Sequence, residues 1–254
     1  MTTSRALGEV LGLTLAVLLV IRLVVALGSG VLWDLPLALA PVLFMWAPVA
    51  YMRWQGRDPD AYPLALPSGP EERALWWTGL RWAGGFAGAM IVPFVLGYHL
   101  WQTWLFPEIL GELCARRVPG TCAEAFRATT FSPAWRLPER WWELLPYHLL
   151  FVAIPEELYY RGWMQSRLDE VWTPRWSVWG AKVGPSLLVT SLIFAVGHSV
   201  VTFQWWHLFI VVPSLAFGWL RARTGHVVAG AFFHAFCNVS VALLDAAWGV
   251  RVGP

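Results

Sequence analysis

The chain has 254 residues, of which 57% are hydrophobic and only 13% charged. Soluble domains carry about 25% charged residues, so the composition excludes an ordinary soluble globular domain. A net charge of +2 gives no basic footprint for a nucleic-acid partner. The fold class expected is all-α, a polytopic transmembrane helical bundle. Seventeen of the eighteen basic residues are arginine, Lys182 being the exception, and tryptophan is abundant at 19. GC-rich codons would give this bias, and so would anchoring at the headgroup level, where Trp is enriched.

A span needs about 20 mostly apolar residues. In chain order the candidates are Val10–Leu27, Leu35–Met52, Ala74–Trp104, Leu144–Gln165, Gly184–Val201, His207–Leu220 and Val227–Trp248, about seven in all. The first reads as an uncleaved helix, because no Ala-x-Ala site ends it. Arg22, near its end, is expected to snorkel to the interface. The third is too long for one straight span, with an interfacial start at Leu75-Trp76-Trp77 and a kink expected at Pro93. The sixth is short. Two polar loops are expected, Arg53 to Arg73 and Pro107 to Glu143. The second ends in the amphipathic run Pro138-Glu139-Arg140-Trp141-Trp142-Glu143. With the N-terminus inside, nine basic residues fall on inner segments and six on outer ones, which favours a cytoplasmic N-terminus. Cys114 and Cys122 then lie outside, where a disulfide between them can persist; two free thiols is the other reading. There is no Cys-x-x-Cys.

The ionisable residues inside the apolar segments carry the chemistry. A carboxylate at the bilayer centre costs roughly 2.5–3.5 kcal/mol on insertion scales. Yet the fourth span reads Ile154-Pro155-Glu156-Glu157-Leu158-Tyr159-Tyr160-Arg161. Glu157 and Arg161, four apart with the acid first, have the favoured ion-pair arrangement. Glu156 then points about 100° away and is spare. Pro155 removes a backbone hydrogen bond and predicts a kink. The fifth span carries Phe194 and His198 at i, i+4. The seventh carries His234 and Asn238 at i, i+4, with Gly230 one turn earlier allowing close helix approach. His198 alone, and His234 with Asn238 alone, are explained well enough by helix packing; Glu156, Glu157 and Arg161 could form a structural charge knot, but one pair would suffice for that and the spare acid would cost energy. Together an acid, two imidazoles and an amide on three spans can converge in one wet pocket. His99, His148, His207 and His226 sit at span ends and are not assigned.

Glu-Glu-x-x-x-Arg, Phe-x-x-x-His and His-x-x-x-Asn, in this order on successive spans, resemble the CPBP family of intramembrane proteases. That family includes the CAAX prenyl endopeptidases and the Abi-type bacterial proteins. The resemblance covers Leu144 to Trp248; residues 1–143 carry no motif, so the chain divides into N-terminal helices and loops (1–143) and a protease core (144–250). The resemblance implies a glutamate-dependent endopeptidase in the bacterial cell membrane. It would cleave near the C-terminus of a membrane-anchored protein or peptide. Glu156, His198, His234 and Asn238 are its catalytic set, with Glu157 and Arg161 behind them. The compact size and arginine-rich composition are compatible with the myxosortase subgroup, which processes C-terminal sorting helices.

No Ser, Thr or Cys stands in a nucleophile's position; Cys237 lies about 100° off the face of Asn238. Water activated by Glu156 is therefore the expected nucleophile, with His198 holding it and His234 and Asn238 steadying the oxyanion. No cofactor is expected. The competing mechanism has His198, His234 and Glu156 as a His₂Glu zinc set, against which Asn238 is a poor zinc ligand. A non-catalytic immunity or binding protein retaining the fold, and an ion-coupled transporter, are the readings from other classes. The absence of an internal repeat weakens the transporter.

Overall fold

The computed structural model describes residues 2–27, 35–118, 126–128, 134 and 136–252. Seven helical runs make up the bundle among these residues. They are α1 (Thr3–Leu27), α2 (Leu35–Trp54), α3 (Arg73–Leu100), α4 (residues 144–169), α5 (Pro185–Thr202), α6 (Val211–Thr224) and α7 (Val228–Trp248). Four runs of described residues are long and apolar enough to cross a membrane: Thr3–Ala26, Arg73–Ala115, Pro185–Thr202 and Val228–Trp248. They correspond to the first, third, fifth and seventh expected spans. The sixth is short, as its sequence suggests. Its α-helix has 14 residues and is preceded by a 3₁₀ segment, Trp205–Ile210.

α1 shows how an almost uniformly apolar helix chooses its faces. Ala6, Val10, Thr14, Val17 and Ile21 are buried, spaced by three or four residues, and form one stripe against the bundle. Leu11, Leu15, Leu19 and Leu23 form another stripe and are each at least half exposed. Such a row is unfavourable in water and suited to lipid. Thr14 is satisfied inside the bundle by the Tyr159 hydroxyl at 3.1 Å. Arg22 reaches a neighbouring helix. Its guanidinium donates to the carbonyl of Val201 at 3.2 Å, near the end of α5.

One expectation about proline is revised. The polar loop does not begin at Pro107. The helical run continues beyond α3 as a π-helix, Trp101–Leu110, and a last α-turn, Gly111–Ala115. At Pro155 the chain widens into π-helix on both sides of Ile154–Glu157, over His148–Ala153 and Leu158–Gln165. Proline has no N–H to donate, and a change in hydrogen-bond register absorbs that loss; π-turns of this sort gather at functional sites.

One end of the bundle is tied by charge. Glu9 of α1 accepts from Arg5 at 3.1 Å, from Arg57 beyond α2 at 3.3 Å and from Arg167 of α4 at 2.6 Å. Arg167 also reaches Glu170 at 2.5 Å, and Arg221 of α6 pairs with Asp169 at 2.8 Å. The loop after α2 packs onto α4 through Tyr62, whose hydroxyl donates to Glu170. Burial, then the Glu170 carboxylate, push the Tyr62 hydroxyl up to about 12. Gly162 permits this contact: a Cβ there would stand 2.7 Å from the Pro63 carbonyl oxygen.

Two short antiparallel ribbons complete the described structure, Phe126–Ala128 with Val250–Val252 and Trp176–Val178 with Ala181–Val183. The second turns on Trp179-Gly180, both at positive φ, as a tight hairpin requires. Exposed tryptophans cluster at element ends, including Trp54, Trp77, Trp141, Trp142 and Trp179. Cys114 is disulfide-bonded; Cys122 lies outside the described residues.

Candidate active site

α4, α5, α6 and α7 meet around Arg161, whose side chain is fully buried. The guanidinium donates to Glu157 Oε1 at 2.8 Å, and to Ser214 of α6 through the carbonyl at 3.1 Å and the hydroxyl at 2.6 Å. It also lies 4.5 Å from the Phe194 ring centroid and 5.2 Å from that of Phe217. A planar cation with a fixed fork of donors suits this mixed environment better than an ammonium would.

The same Glu157 oxygen is 3.1 Å from His234 Nδ1. A carboxylate in this pairing accepts, so Nδ1 carries the hydrogen, and Nε2 of the neutral ring is a bare acceptor. The His234 ring stacks on Phe217 at 4.6 Å and 11°, which fixes its plane. Gly230 makes room for this arrangement. A Cβ there would be 2.8 Å from Glu157 Oε2 and 3.2 Å from the Phe217 carbonyl. The close approach expected at Gly230 is thus made by the Glu157 carboxylate and by the backbone of α6.

His198 is held by the same logic. Its Nδ1 is 2.9 Å from the Phe194 carbonyl, which can only accept, leaving Nε2 bare in the neutral ring. The Phe194 and His198 rings are 4.5 Å apart.

Glu156 faces both imidazoles. Its Oε2 lies 3.7 Å from His234 Nε2 and 4.0 Å from His198 Nε2. These separations are too long for direct hydrogen bonds and suit a bridging water. Glu156 Oε2 is buried and has no hydrogen-bond partner among the described residues. Asn238 takes a different place. With His198 and His234 it lines a cavity of about 300 Å³ on which Glu156 does not border.

Two residues change weight. His207, unassigned from sequence as the start of a short span, lines this cavity too. Its Nδ1 is 2.8 Å from the Thr202 hydroxyl, which also donates to the His198 carbonyl at 2.8 Å. The signal available in sequence was the nine-residue spacing from His198 across a helix end. Cys237 also lines the cavity, so standing off the face of Asn238 does not remove it from the site. No base hydrogen-bonds its sulfur among the described residues, and the thiolate is the nucleophilic form. Of the other histidines, His226 ties the loop after α2 through Ala65 O at 3.2 Å, and His99 packs on Trp248.

The donor set bears on zinc. Two bare Nε2 atoms and a carboxylate oxygen are the right ligand types. Tetrahedral bonds of about 2.0–2.1 Å would place ligand atoms roughly 3.4 Å apart. Glu156 is 3.7 Å and 4.0 Å from the two imidazoles, so both separations would have to shorten, and among the described residues no group of three His, Cys, Asp or Glu side chains is set to hold a metal ion; one bound there would supply Lewis-acid activation of water.

Residues 138–240 match the family model described as type II CAAX prenyl endopeptidase Rce1-like. This match supports the CPBP, or CAAX-protease, family of intramembrane endopeptidases over those residues, and the chain is a membrane protein. No curated protein and no solved structure gives a significant match.

Proposed function

We propose that the protein hydrolyses a peptide bond near the C-terminus of a membrane-anchored protein, with Glu156 activating water. One observation carries this reading: the buried, unpartnered Glu156 Oε2 faces the Nε2 atoms of two histidines whose other nitrogens are committed elsewhere. A water between them donates one hydrogen to Glu156 and the other to an imidazole. Glu156 takes the proton as the water oxygen attacks the carbonyl, then passes it to the leaving amine. His198 holds the water. The Asn238 amide donates to the oxyanion, as does His234 when it enters the cycle as an imidazolium with an Nε2 proton taken from solvent and kept throughout; one such donor is worth roughly 3–4 kcal/mol of barrier. Glu157 and Arg161 act through His234 and the helix rather than on substrate. In this reading the site works without metal, and no cofactor is needed.

The natural setting proposed is a bacterial cell membrane with the N-terminus cytoplasmic. Charge supports that orientation, since the Glu9, Arg57 and Arg167 cluster gathers one end of the bundle. Compact size and arginine richness support processing of C-terminal sorting helices, the myxosortase role.

The test is Glu156→Gln, which keeps size and hydrogen bonding and removes the base. Mass spectrometry of membrane-protein C-termini from cells carrying either form should show processing lost and protein abundance retained. Unchanged processing by the variant would refute the general-base role. Wild-type cells whose C-termini match those of a deletion strain would favour a non-catalytic binding protein.

A further inference from the structure

Each peptide bond hydrolysed consumes one water, and substrate seated against His198, His234 and Asn238 would close the larger cavity to it. Glu156 borders a second, smaller cavity of about 190 Å³, and His198 stands in the wall shared by the two. Thr202 and His198 lie one turn apart on α5, and Tyr160 and Glu156 one turn apart on α4, so four polar side chains run along the smaller cavity. Leu18 and Ile21 of α1 and Ala40 and Phe44 of α2 supply apolar walls. These four residues lie outside the segment that matches the protease family. The polar groups have bonding capacity to spare. Glu156 Oε2 is buried without a partner among the described residues, and so is the kind of group that binds an ordered water. Tyr160 is 1% exposed, and among the described residues nothing hydrogen-bonds its hydroxyl. The Thr202 oxygen donates to the His198 carbonyl and pairs with His207 Nδ1, which leaves it a lone pair. At ~30 Å³ each, roughly six waters fit, and each needs two to four polar partners. The cavity reaches Thr202, the exposed last residue of α5. There Arg22 donates to the Val201 carbonyl, and an arginine at a span end marks the headgroup level. Gly197 keeps the passage clear, since a Cβ there would stand 3.2 Å from the Tyr160 hydroxyl and 3.3 Å from Leu18 Cδ1.

We propose that the smaller cavity is the inlet and store for the water that Glu156 activates, separate from the substrate's cavity and walled from lipid by α1 and α2. The inference rests on the endopeptidase reading. Water passes from Thr202 along His198 and Tyr160 to Glu156, and a site already covered by substrate is refilled from behind.

The experiment uses the full-length protein in proteoliposomes. Ala40→Cys puts a thiol in the smaller cavity, and Leu19→Cys puts one on the exposed stripe of α1 as the lipid-facing control. Wild type supplies the background of the native cysteines. The probe is a charged methanethiosulfonate reagent, which reacts with thiolate. Ala40→Cys should label at least about tenfold faster than Leu19→Cys, because a thiolate forms readily in water and at high cost in lipid. The substrate is a membrane-spanning peptide taken from a randomised pool by its Glu156-dependent cleavage. Saturating peptide should not slow the labelling of Glu156→Gln/Ala40→Cys. Labelled Ala40→Cys should lose about tenfold in kcat with KM nearly unchanged, the mark of a step after substrate binding. If Ala40→Cys fails to accumulate, Leu18→Cys takes its place. Labelling no faster than Leu19→Cys, labelling blocked by peptide, or labelling that leaves kcat intact overturns the inlet and leaves the endopeptidase standing. No Glu156-dependent cleavage of any peptide by wild type overturns both.

Discussion

Arg161→Ala isolates what the buried charge network contributes. The substitution strands Glu157, whose side chain is fully buried, and leaves it His234 Nδ1 as its remaining hydrogen-bond partner. It also removes two donations to Ser214 and the cation over Phe194. Breaking a buried pair from one side costs about 3–5 kcal/mol. Hydrogen bonds to a charged group add about 1.5–3 kcal/mol each, but in one network these figures do not sum. A loss of about 4 kcal/mol is a large part of the 5–15 kcal/mol typical of a domain. The expected result is a much lower melting temperature in detergent, low abundance and no cleavage. The double variant Glu157→Gln/Arg161→Met separates charge from shape. It removes both ions together while the Gln carbonyl still accepts from His234, and it should recover a large share of the lost stability. An Arg161→Ala protein that melts with wild type, or a double variant no better than the single, would refute the ion-pair account.

Gly230→Ala places a methyl 2.8 Å from Glu157 Oε2. Activity should fall at least tenfold, with a smaller effect on melting, as His234 loses its alignment; parallel kinetics would show otherwise. Active purified enzyme should hold no stoichiometric zinc by elemental analysis and should keep its activity through a strong chelator. Activity lost on stripping and regained with zinc would make His198, His234 and Glu156 ligands. His226, between α6 and α7, is half-buried, and this partial loss of water lowers its proton affinity below the ordinary value of 6.5. Its Nδ1 accepts from the Val228 N–H at 3.4 Å. Since its folded value is the lower one, its contribution is present above about pH 6.5 and lost as pH falls below that. The melting temperature of wild type should therefore drop between pH 7.5 and 5 more steeply than that of His226→Gln.

Period and composition suffice for the all-α membrane bundle, because an uninterrupted apolar run has few other outcomes. The i, i+4 spacings of Glu157 with Arg161 and of Phe194 with His198 translate directly into contacts, since both partners share one helix. What crosses between helices is not encoded by spacing. The bond from Arg161 to Ser214, the stack of His234 on Phe217 and the place of His207 in the cavity depend on how α5, α6 and α7 are set against one another. Pro107 misleads as a loop start, because the helical run continues through it. Proline signals a lost hydrogen bond, but the sequence does not say whether the chain bends, stops or changes its hydrogen-bond register.

The π-turns around Pro155 separate two jobs that one helix must do together. In a regular α-helix the side that meets lipid before residue 148 would fix, at about 100° per residue, the side that meets the site after residue 154. Widened turns act as spacers, each able to take up a residue's worth of rotation. The outer surface of α4 can then drift in sequence to suit a membrane or a partner while Glu156, Glu157 and Arg161 keep their aim. Deleting one residue from His148–Ala153 would restore a regular helix and turn its outer half, Val152 and Leu149 included, by roughly that angle. The carboxylates would stay in place, and the larger cavity would lose the wall that Val152 provides.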